Sequence, residues 1–173
     1  TDTLFPYTTL FRSVVDTKNF AVQTGVRTFD AAAYLRRCGA DPEIVRSIFS
    51  SDFATVRLKS SLLAKATIED GVAMLDCGDL KENATMLAAQ LADMLINLNN
   101  VRASFTFYEL AEKTVGISAR SKGEVNVQRV MEVLGGGGHS NVAGAQLKGL
   151  TIEEAQEVVR KALEEIPEEK ESE

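Results

Sequence analysis

Residues 72–108 read VAMLDCGDLKENATMLAAQLADMLINLNNVRASFTFY, and the hydrophobic period changes twice along them. Val72 to Leu75 is a short apolar run of strand type. Glu82 to Asn97 places Ala84, Leu87, Ala88, Leu91 and Leu95 at helical spacing, with Leu98 just beyond, which predicts a long helix with a core-facing stripe. Val101 to Tyr108 alternates and is rich in aromatic and β-branched residues, so it predicts a strand. Strand, helix and strand in succession define an α/β unit.

Downstream, Thr114 to Arg120 predicts another strand, joined to the previous one by a polar turn. Asn126 predicts the cap of a short helix carrying Val127, Val130, Met131 and Leu134, which stops at a glycine run. Val142 to Leu147 is a short mixed segment. Thr151-Ile-Glu-Glu154 is a capping box opening a final helix, with Ala155, Val158, Val159, Ala162 and Leu163 inward. Glu164 to Glu173 carries Pro167 and reads as a frayed acidic tail.

Upstream the pattern is helical. Thr28 predicts an N-cap for a helix through Cys38, ending at Gly39. Asp41-Pro42 opens a second helix, with Ile44, Val45, Ile48 and Phe49 as its apolar face. A third is expected from Asp52 to Ala66, with Phe53, Val56 and Leu63 inward, before Gly71 breaks the pattern. Val14-Val15 reads as the end of a buried strand with Asp16 at its tip. Thr1 to Ser13 has no clear period and no start methionine, so it reads as a truncated or foreign leader outside the fold. The expected organisation is a leader over 1–13, a helical stretch over 14–66, an α/β unit over 67–166 and a tail over 167–173. The fold class expected is α/β, a mixed sheet flanked by helices and preceded by a helical linker region.

The 173 residues suffice for one sizeable core or two small ones. A net charge of −6 argues against broad, non-specific nucleic-acid binding but allows a local cationic pocket. Cys38 and Cys77 lack metal-type spacing and read as small buried hydrophobes. With one histidine and no cysteine pair, the chain is not expected to hold a complete zinc site. No apolar run is long enough to span a bilayer.

Gly135-Gly136-Gly137-Gly138-His139 is the stretch that points to chemistry. Successive glycines expose backbone N–H groups that can approach a phosphate closely. His139, the only histidine, can donate to a phosphate or leaving oxygen when protonated. Arg120, in Ser118-Ala-Arg-Ser121, offers a planar fork for phosphate, and Ser118 and Ser121 add hydroxyl donors. Asn141 suits a base edge or ribose, or equally a turn. The plainer readings are a helix C-cap for the glycines, a capping role for His139 and a surface ion pair for Arg120.

Asp16-Thr-Lys-Asn-Phe20, Gly25-Val-Arg-Thr-Phe29, Gly116-Ile-Ser-Ala-Arg-Ser121 and Gly135 to Gly144 occur in this order. The set resembles the DHH phosphoesterase superfamily, with its DHH-associated domain forming the C-terminal part, and most of all the bacterial cyclic di-AMP phosphodiesterases. That resemblance implies two lobes with the site between them, and a two-manganese (Mn2+) centre on the first. It implies that Asp16 is a manganese ligand; a turn-ending aspartate is the plainer reading. The Asp-His-His triplet of the first lobe does not occur in this sequence. The expectation is therefore a substrate-binding lobe, inactive alone, cut just before Asp16 from a cytoplasmic enzyme whose parent is open to membrane anchoring. The implied partners are a cyclic dinucleotide or short oligonucleotide, the missing lobe and, left open, a second copy in a homodimer. The alternatives are an oligoribonucleotide or nucleotide phosphoesterase of the same superfamily, and a non-catalytic nucleic-acid-binding module.

Overall fold

The computed structural model describes residues 4–17, 20, 24–81, 83–110 and 113–166. Lys18 and Asn19 of the Asp16–Phe20 motif, residues 1–3 of the leader and the tail 167–173 lie outside the described residues. The chain divides into two compact units, Thr1–Phe53 and Ala54–Glu173.

The N-terminal unit is helical: α1 (Leu4–Asp16), α2 (Val26–Arg37) and α3 (Pro42–Ile48). The residues read as a leader followed by a strand form α1 instead. Leu10 is buried with Leu35, Ala40 and Val45, and Phe11 stacks on Phe49 with centroids 5.2 Å apart. The leader thus supplies part of this small core, and Val15 is exposed rather than in a buried strand. α2 starts at Val26, before Thr28, whose hydroxyl accepts from the Gly25 N–H at 3.3 Å. Asp41 caps α3 as expected, accepting from the Glu43 N–H at 3.0 Å with Pro42 at the first helical position. Of the apolar face expected on α3, Val45 alone is buried; Ile44, Ile48 and Phe49 are exposed.

In the C-terminal unit, α4 (Phe53–Leu63) leads into a six-stranded sheet. Its buried residue is Leu62, with Leu63 half-buried beside it; Phe53 and Val56 are exposed, contrary to the expected inward face. The strands are β1 (Thr67–Glu69), β2 (Val72–Asp76), β3 (Ala103–Leu110), β4 (Thr114–Ser121), β5 (Gly137–His139) and β6 (Val142–Lys148). Their order across the sheet is β1-β2-β3-β4-β6-β5, with β2 and β3 parallel and every other pair antiparallel. The mixed sheet of the expected fold class is therefore present. The parallel pair needs a crossover, which α5 (Ala84–Ile96) supplies. β1 and β5, each three residues long, were not foreseen; they form the two edges.

Each sheet face has its own core. On one, Ala73, Leu75 and Tyr108 pack against Leu87, Ala88, Leu91 and Leu95 of α5. On the other, Phe105, Phe107, Ile117, Ala119 and Ala143 pack against α6 (Val127–Val133) and α7 (Ile152–Glu165). Glu164 and Glu165 belong to α7 rather than to a frayed tail. Its capping box is complete: Thr151 Oγ1 accepts from the Glu154 N–H at 3.2 Å, and Glu154 Oε2 from the Thr151 N–H at 2.9 Å. Cys77 is buried as expected, but Cys38 is exposed. Among the described residues no helix is long and apolar enough to cross a membrane.

Candidate functional site

The register of β4, β6 and β5 decides which predicted residues share a face. Arg120 pairs with Val142, and Val142 with His139. The next row on the same face is Ser118, Gly144 and Gly137. Directly paired residues point to the same side of a sheet, so these two rows form one patch. Strand spacing makes it about 10 Å across and about 7 Å along. It lies on the α5 side, where α5 packs on β3 and β4. Over β6 and β5 the face opens: Val142 is 42% exposed and His139 is exposed.

The four glycines of the run serve different ends. Gly135 has φ +76° and closes α6: its N–H donates to the Glu132 carbonyl at 3.0 Å, and the Gly136 N–H to the Met131 carbonyl at 2.8 Å. Those two amides are engaged in the helix cap. A Cβ on Gly136 would collide with the Gly144 carbonyl, and one on Gly138, at φ +148°, with the backbone of Val142 and Ala143. Gly137 has neither reason. Its backbone is not left-handed, and an added Cβ would meet nothing within 4 Å. Glycine weakens a strand, so open space above it marks a place for close approach to the backbone.

Arg120 is tethered. Its Nε donates to Asp93 Oδ1 of α5 at 2.8 Å and its Nη1 to the Ala119 carbonyl at 3.0 Å. Its side chain is only 12% exposed. Ser118 is buried, and its carbonyl accepts from Thr106 Oγ1 at 3.4 Å. Ser121 alternates to the opposite face of β4, where its Oγ accepts from the Gly123 N–H at 3.0 Å. Asn141 lies in the exposed β5–β6 turn, its carbonyl accepting from the Ser121 N–H at 3.0 Å. The structure thus gathers Ser118, Arg120, Gly137 and His139, sets Asn141 at the margin, and turns Ser121 away.

Sequence reasoning missed Asp93. Its signal was present: it is the sole charge among the thirteen residues of α5. It also missed why Ser104 and Thr106 are fully buried. Both face α5, donating to the Ala92 and Ala88 carbonyls at 2.9 Å each.

Asp16 ends α1 and is exposed. Among the described residues no three His, Cys, Asp or Glu side chains gather to hold a metal ion. These residues do not fit the manganese pair that the resemblance implies.

A family model for the DHHA1 domain matches residues 71–166, more than half of the chain. The chain belongs to the DHHA1 domain family. The matched segment runs from the turn before β2 to the end of α7, so it contains the whole patch. The chain is 46% identical over 151 residues to cyclic-di-AMP phosphodiesterase PdeA of Listeria monocytogenes, and 45% identical over 151 residues to cyclic-di-AMP phosphodiesterase GdpP of Geobacillus thermodenitrificans. Each alignment covers 87% of this chain but 23% of the relative, so the chain spans about a quarter of these proteins. Among solved structures, an exopolyphosphatase-related protein from Bacteroides fragilis superposes with a TM-score of 0.77 at 23% identity, over 88% of this chain and 47% of that one. That likeness bears on the fold.

Proposed function

We propose that this chain is the substrate-holding part of a phosphodiesterase that hydrolyses cyclic di-AMP. One observation carries the reading: the register that sets Arg120 and His139 on one sheet face, two strands apart, beside the side-chain-free positions Gly144 and Gly137. The names of the PdeA and GdpP relatives supply the substrate class.

In this reading Arg120 binds a phosphate oxygen through the guanidinium N–H groups not engaged by Asp93 and Ala119. Gly144 and Gly137 let the phosphodiester lie against the strand backbone. His139 reaches in from the outer edge and donates to a phosphate oxygen. Ser118 forms the floor and Asn141 borders the nucleotide. The resemblance implies a manganese centre on the first lobe, with Asp16 as one of its ligands and an Asp-His-His triplet that this sequence lacks, and no step here passes through it.

Calorimetric titration of the 173-residue chain with cyclic di-AMP tests the reading. Binding is expected, and Arg120→Ala should weaken it about ten- to a hundredfold, the loss of a charge-assisted hydrogen bond worth about 1.5–3 kcal/mol. No hydrolysis is expected from this chain with manganese added. No binding of cyclic di-AMP, together with salt-sensitive binding of single-stranded RNA, would replace the proposal with a nucleic-acid-binding module.

A further inference from the structure

We infer that Asp93 is a positioning residue: it holds the Arg120 guanidinium in the orientation that receives a phosphodiester. The inference rests on the functional reading above. α5 otherwise consists of Ala, Leu, Met, Ile, Thr and Gln, so a carboxylate there is not part of a general solvated face. It is 43% exposed, on the helix that packs over β3 and β4.

The geometry fixes the arginine at two points. Nε donates to Asp93 Oδ1 at 2.8 Å, and Nη1 donates to the Ala119 carbonyl at 3.0 Å. A guanidinium has five N–H donors in one rigid plane, so bonds from Nε and from Nη1 fix that plane and with it the direction of the rest. Among the described residues no buried side-chain nitrogen or oxygen lacks a partner, so the remaining donors are not stranded in the core. Along the sheet row Arg120 is followed by Val142 and then His139. A side chain ordered before binding loses less freedom when the anion arrives.

The charge of Asp93 works in the opposite direction. A carboxylate beside Arg120 offsets the positive charge that attracts phosphate. Positioning and charge balance therefore predict opposite signs. Asp93→Ala removes acceptor and charge, whereas Asp93→Asn removes the charge but keeps an acceptor oxygen.

The test combines two measurements on the 173-residue chain. In nitrogen-15 NMR spectra, the Arg120 Nε–H signal should exchange slowly with water in wild type and Asp93→Asn, and be lost to exchange in Asp93→Ala. Titration with cyclic di-AMP should show about a tenfold loss of affinity in Asp93→Ala and less than threefold in Asp93→Asn. Tighter binding in both variants would overturn the inference in favour of charge balance. Reduced thermal stability with unchanged affinity would overturn it in favour of a purely structural role. An unaltered Nε–H signal in Asp93→Ala would overturn it even where wild type binds. A wild-type chain that binds no cyclic di-AMP would overturn the functional reading, and the assignment of Asp93 with it.

Discussion

Phenylalanines show how differently the two units bury apolar surface. In the C-terminal unit Phe105 and Phe107 are fully enclosed, whereas in the N-terminal unit Phe29 is 54% and Phe49 48% exposed. A sheet presents two faces, and here each is covered by helices, so successive residues of one strand enter different cores. Three helices of 13, 12 and 7 residues offer one stripe each, and among the described residues they enclose four buried apolar residues. Topology, more than apolar content, separates the units.

The cysteines provide the most sensitive test of that contrast, since exposed Cys38 lies in one unit and buried Cys77 in the other. Cys38 should react readily with a thiol reagent. Cys77 should react at least about a thousandfold more slowly, because access needs opening of a unit held by roughly 5–15 kcal/mol. Equal rates, followed by mass spectrometry, would erase the distinction. Burial, reinforced by the neighbouring Asp76 charge, pushes the Cys77 thiol up to about 12. The folded chain then keeps a proton that the unfolded chain loses above about pH 8.5, so this group makes stability fall as pH rises from there towards 12.

Core truncation should give the next largest effect. Phe105→Ala is expected to destabilise the C-terminal unit by about 3–5 kcal/mol in urea titration, and Leu35→Ala its own unit by about 2 kcal/mol. A Leu35→Ala loss as large as that of Phe105→Ala would show a tighter N-terminal core than the structure describes. The smallest effects sharpen the contrast within a single strand. Gly138→Ala forces a side chain into left-handed backbone and should cost about 1–3 kcal/mol. Gly137→Ala should leave stability unchanged or raise it by about 0.4–1 kcal/mol, while weakening cyclic di-AMP binding. A Gly137→Ala chain that binds normally would remove that glycine from the proposed site.

What could be read in advance was local chemistry. Asn126 caps α6, accepting from the Arg129 N–H at 3.3 Å, and the Thr151–Glu154 box caps α7, because a side-chain oxygen three residues before an orphan N–H is visible in sequence. The α5 stripe was equally plain. α1 was hidden because Pro6, Thr8 and Thr9 blur its period, and the burial of Leu10 is defined by α2 and α3. β5 was hidden because glycines argue against a strand, and its pairing with β6 and packing on α6 hold them in one. The candidate site was legible as residue types, but its geometry was not. Whether Ser118, Arg120 and Ser121 face together depends on pleat parity, and the Asp93 partner lies 27 positions from Arg120 along the chain.

Chain order and sheet order part company at one place. A ribosome releases residues 137–139 before 142–148, yet β5 lies outside β6. Those glycines join the sheet through β6 alone, so the strip bearing His139 is tied to β4 only by way of the segment made after it. Peeling it off again would break a single ladder and leave five strands joined.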